Sequence, residues 1–66
     1  MEIKKIKISQ IEDMGNNEIF IHGGDLCTPS KYIFHQKLWL NHHLPEIGEI
    51  IKIEISDHQF IKRAYY

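Results

Sequence analysis

Apolar and polar residues alternate with period two along much of this chain, the pattern of strands buried on one face. The longest clean run is Glu49 to Ile55, where Ile51, Ile53 and Ile55 point one way and Lys52 and Glu54 the other. Gln59 to Tyr66 follows the short turn Ser56-Asp57-His58, so the two segments are expected to form a hairpin. Near the start, Lys5-Ile6-Lys7-Ile8-Ser9 alternates in the same way. Ile3 and Ile11 sit on the opposite parity, which calls for a bulge or bend near each end of that strand. Glu18 to His22 is a short strand with Ile19 and Ile21 on one face. Between these runs lie the turn signals Gly15-Asn16-Asn17, Gly23-Gly24-Asp25 and Pro45-Glu46-Ile47-Gly48.

The segment Thr28 to Leu44 admits two readings. Thr28-Pro29 has the form of a helix start, with Thr as the cap and Pro at the first helical position. Its apolar residues do not gather on one helical face: Tyr32 and Trp39 fall to one side of Ile33, Leu40 and Leu44, and Phe34 and Leu38 to the other. As a strand, Tyr32, Phe34, Leu38 and Leu40 share a face interrupted only by Gln36, leaving Ile33, His35, Lys37 and Trp39 opposite. The strand reading is preferred. Five strands with short connections predict an all-β protein, a small five-stranded barrel of the SH3-like or OB-like type. The alternative is α+β, with four strands packed on one helix at about 29–43.

The chain has 66 residues, enough for a single domain spanning 1–66. A domain of this size is marginal and is commonly stapled by disulfides, a metal or a partner chain. Cys27 is the only cysteine, so no disulfide can form within one chain. A lone cysteine, no apolar run of signal-peptide form and no long apolar span lead to the expectation of a cytoplasmic protein that does not enter a membrane. Eight Lys and Arg face nine Asp and Glu, a balance that argues against a dedicated duplex-DNA binder but leaves room for a local basic face. Thirteen Ile with no Val, and seven Lys with one Arg, fit a genome poor in G and C. That bias carries no mechanism, though a short chain of this kind is compatible with a phage or other mobile element.

Catalytic groups are hard to assemble. Cys27 has His22 and Asp25 nearby in sequence, but a nucleophile needs a base within hydrogen-bond reach and a cleft. Five histidines lack the paired short spacings of a structural zinc site, leaving only a dispersed set of His22, Cys27 and one later histidine. Gly23-Gly24 lacks the Lys-Ser/Thr of a phosphate loop. The expectation is therefore a non-enzymatic binding protein with no cofactor and no metal.

Two kinds of partner remain. The first is a protein, or a second copy of the chain, met through Trp39, Ile33, Tyr65 and Tyr66, since Trp and Tyr anchor interfaces and these four are hard to bury together. A mobile-element inhibitor or adaptor of a host protein is one concrete form. The second is a single-stranded nucleic acid. Lys4, Lys5 and Lys7 at one end and Lys62 and Arg63 at the other would form one patch if the terminal strands were neighbours, with Tyr32 as a stacking face. Trp39, Leu44-Pro45, Gly48, Ile51, Ile53 and Tyr65 together resemble, over the C-terminal half only, a pattern of short phage and prophage proteins of unknown function. That resemblance implies no activity.

Overall fold

The computed structural model describes residues 1–66. It contains β1 (Glu2–Asp13), β2 (Ile19–Asp25), β3 (Lys31–His35), a 3₁₀ turn (Gln36–Leu38), β4 (Ile50–Ile55) and β5 (Ile61–Tyr65). The strands form one antiparallel sheet in the order β3-β2-β1-β4-β5, strongly curled into a half-barrel with no α-helix. A long central first strand thus carries a hairpin on each side, β2-β3 and β4-β5. The α+β alternative is not what forms: no helix covers 29–43.

The alternating isoleucines do what their period requires. Ile6 and Ile8 of β1, Ile21 of β2 and Ile51, Ile53 and Ile55 of β4 are fully buried and fill the concave side. Burying each such side chain contributes roughly 1.5–3 kcal/mol, which makes this row the main support of the fold. Ile11 joins them because β1 carries a bulge between Ile8 and Gln10: Ile8 stands opposite Gly23 and Gln10 opposite His22, so Ser9 is the extra residue. The bulge flips the parity and brings both Ile8 and Ile11 inward. No bulge rescues Ile3, which stays in register with Glu54 and remains exposed. A Cβ at Gly23 would lie 2.7 Å from Ile6 Cδ1 and 3.1 Å from the Lys7 carbonyl oxygen, so a larger residue there would force its neighbours to shift.

β3 ends at His35, and the reason is local. The His35 Nδ1 accepts the Lys37 N–H at 3.0 Å, and the Trp39 N–H donates to the Gln36 carbonyl at 2.9 Å, closing the 3₁₀ turn. Three turned residues replace three extended ones and reset the parity. Trp39 consequently returns to the core face, only 8% exposed, while Leu40 points out. Its indole N–H donates to the His43 carbonyl at 2.8 Å, and Tyr66 packs edge-on against its ring at 4.9 Å. Trp39 also makes a parallel bridge to Ala64, and the Leu40 N–H donates to the Ala64 carbonyl at 2.9 Å. This bridge closes the half-barrel at one end. At the other end β3 and the start of β5 leave a slot of about 440 Å³ lined mainly by Tyr32, Phe34, Leu38, Phe60 and Ile61.

Candidate binding face on β1, β2 and β3

The outer face of β1, β2 and β3 is built as three cross-strand rows. Glu12, Phe20 and His35 form the first, Gln10, His22 and Ile33 the second, and Lys7, Gly24 and Lys31 the third. These residues face outward because their neighbours Ile8, Ile21 and Phe34 face in. Gly24 has no side chain to fill the third row, and a Cβ there would meet only the Ser30 carbonyl at 3.9 Å. The missing side chain leaves a groove of about 640 Å³ between Lys7 and Lys31, rimmed by Ile33, Leu26 and Ile47. The groove and the slot share Lys31, Tyr32 and Ile33, so they flank β3 from its two sides.

The charges on this face are segregated. Lys7 and Lys31 form no ion pair, nor do Lys5 and Lys52 beyond them. The one carboxylate lining the groove, Asp25, is already engaged. It accepts the Cys27 N–H at 2.8 Å and lies 3.3 Å from the Lys4 ammonium. The Cys27 N–H, with help from Lys4, holds the Asp25 carboxyl below its ordinary range. The hydrogen bond to Asp25, then the charge of Glu2, hold Lys4 above its own. His22 Nε2 lies 3.0 Å from Glu12 Oε1, and His35 Nε2 lies 2.6 Å from Glu18 Oε2. Because the His35 Nδ1 accepts from Lys37, its neutral form carries the proton on Nε2 and donates to Glu18. Phe20 meets the His35 ring edge-on at 5.2 Å.

The residues singled out in the sequence fall in different places. Trp39 is a core residue, not an exposed anchor, because the 3₁₀ turn reverses its face. Ile33 is 56% exposed, in the middle of β3. Tyr65 is half-buried, donates to Glu54 Oε2 at 2.7 Å and lies under the Lys52 ammonium, 5.9 Å from its ring centre. Tyr66 donates to Glu49 Oε1 at 2.9 Å and its N–H to Asn41 Oδ1 at 3.0 Å. These carboxylate partners push both phenols above the ordinary tyrosine range. The two tyrosines fasten the end of β5.

The single basic patch is not assembled. β4 lies between β1 and β5, so Lys62 and Arg63 do not adjoin Lys4, Lys5 and Lys7. Arg63 pairs with Glu54 at 3.1 Å, and Lys4 lies on the concave side, opposite Ile53, with Glu2 and Asp25. Tyr32 is half-buried, packs against the core on one side and lines both the groove and the slot. No group of three or more His, Cys, Asp or Glu is placed to hold a metal ion. Phe20 and Lys31 are not among the residues that the sequence singles out, and His22 is singled out there only for catalysis or metal, although the inward parity of Ile19 and Ile21 sets Phe20 and His22 outward. No helix is long and apolar enough to cross a membrane. Comparison with family models, curated proteins and solved structures gives no match.

Proposed function

We propose that the chain is a non-enzymatic binding module that takes a single-stranded nucleic acid across the outer face of β1, β2 and β3. The observation that carries this reading is the groove over Gly24, flanked by two lysines without ion-pair partners, Lys7 and Lys31. Two rows away, the Phe20–His35 pair supplies an aromatic surface, and Phe60, 70% exposed in the turn before β5, supplies another. Phosphates would lie against the lysines and bases on the aromatics. By analogy of barrel architecture alone, OB-type barrels take oligonucleotides and oligosaccharides on strands 2 and 3 and the loops beside them. The free lysines favour the phosphate-bearing ligand of the two.

Fluorescence anisotropy with a labelled oligothymidylate tests the reading. Binding is expected at low salt and should weaken as salt rises, each neutralised phosphate contributing a slope of about −0.7 in log K against log salt. The pair Lys7→Glu and Lys31→Glu should abolish it, and Phe20→Ala should weaken it about 5- to 150-fold, the value of roughly 1–3 kcal/mol for one base stack. No binding at low salt, or binding unchanged in the lysine pair, would overturn the reading. A protein partner, such as one met by an inhibitor or adaptor, is the second reading. It is favoured by the exposed Ile33, Leu26 and Ile47 around the same groove.

A further inference from the structure

We infer that two copies of the chain pair through the bare edge of β3, antiparallel about a two-fold axis at Ile33. The inference stands on the edge alone and does not rest on the nucleic-acid reading. β3 is the last strand of the sheet, so the side facing away from β2 has no strand partner. Its sequence, Lys31-Tyr32-Ile33-Phe34-His35, contains no proline and no glycine, and its pairing with β2 has no bulge. Natural edges are usually blunted by proline, bulges, charged side chains or covering elements, and of these β3 carries only the charge of Lys31, at one end of the strand. At the centre of this one stands an isoleucine exposed on the outer face.

The flanking residues are arranged symmetrically for self-pairing. With Ile33 opposite Ile33, Lys31 of one copy stands opposite the partner's His35. That position holds Glu18, bonded to the His35 Nε2 at 2.6 Å. Lys31 makes no ion pair within its own chain. Each lysine thus meets a carboxylate across the axis, and the contact occurs twice by symmetry. Residues directly opposite in such a pair have Cβ atoms about 4.5–5.5 Å apart, close enough for the central isoleucines to cover one another. Pairing would also lay the two outer faces side by side as one sheet.

The test is the mass of the purified chain by sedimentation over a range of concentrations, without nucleic acid. A mass rising to twice that of one chain is expected. Ile33→Lys should weaken association about tenfold or more. Lys31→Glu and Glu18→Lys should each weaken it, and the two together should restore it, because the swap re-forms the pair with its signs exchanged. The melting curve of each variant separates lost pairing from lost folding. A wild-type chain that stays monomeric, a dimer indifferent to Ile33→Lys, or a double charge swap that fails to recover while remaining folded would each overturn the inference.

Discussion

β5 and β3 both end the sheet, yet β5 is bulged, charged and fastened along its outer side while β3 runs without a bulge and carries one lysine at its end. The pairing of β5 with β4 shifts between Glu54 and Ile55, leaving Lys62 as the extra residue of a bulge. Arg63 follows it, the Leu40 N–H occupies the Ala64 carbonyl, and Tyr66 is held by Asn41 and Glu49. Bulge, charge and cover are the means by which edges avoid unwanted pairing. β3 has no bulge and of these devices carries only the charge of Lys31, and the groove, the slot and the exposed Ile33 all adjoin it. The contrast teaches that the closed end of the half-barrel is where stability is made and the open edge is where contact is offered.

The closed end should therefore show the largest effect. Trp39→Ala removes a buried ring, its indole hydrogen bond and its packing against Tyr66, and should cost about 3–5 kcal/mol in a denaturant melt. That is a large share of what so small a domain can hold, so the variant is expected to be mostly unfolded near body temperature. A small loss would mean that the bridge to Ala64 is not what closes the sheet.

Next in size is Gly23→Ala, whose added methyl would press on Ile6 and the Lys7 carbonyl. It should cost roughly 1–3 kcal/mol by overpacking. Gly24→Ala, next to it but facing the open groove, should cost much less. Equal losses at the two glycines would contradict the placement of the groove.

Acid and alkali probe the fastening of β5. The Glu46 N–H, then the Tyr66 hydroxyl, hold Glu49 below the ordinary glutamate range. A carboxyl lowered on folding contributes stability that is present above its unfolded value and is lost as pH falls through the folded one. Tyr66, raised on folding, contributes stability present below the ordinary tyrosine value and lost as pH rises through the higher folded one. Glu49→Gln should thus flatten the acid side of a plot of melting temperature against pH, and Tyr66→Phe the alkaline side. Unchanged profiles would show that this clamp does not hold the edge.

The smallest effect on stability belongs to the open edge. Ile33→Lys and Phe60→Ser should each change stability by no more than about 0.5 kcal/mol, the usual range for surface positions. A larger loss at Ile33 measured on the monomer would make β3 a structural edge rather than a contact surface.

Much of this architecture was legible in the residues because period two is a strong signal when one face is isoleucine. Ile51, Ile53 and Ile55 mark β4, and the parity breaks at Ile3 and Ile11 call for a bulge or bend near each end of β1, of which the one near Ile11 forms, at Ser9, and the one near Ile3 does not. Trp39 was misplaced because extended parity was carried through Gln36 to Leu38, where the chain instead turns. Gln36, the one polar residue on the face that an extended reading buries, is the local sign of that turn. The basic patch failed for another reason: which strands adjoin is a long-range property, and nothing near Lys62 or Lys7 reports that β4 lies between them. The binding face is assembled from three strands, so only its outward residues on one strand, Phe20 and His22, could have been read in advance.

The most direct test of the claim that contact belongs to the β3 side is to follow backbone amides by ¹⁵N correlation spectra while a short oligothymidylate is added at low salt. Progressive shifts are expected at Lys7, Phe20, Gly24, Lys31 and Ile33, with Lys62 and Arg63 unmoved. Shifts confined to β5, or none anywhere, would contradict it.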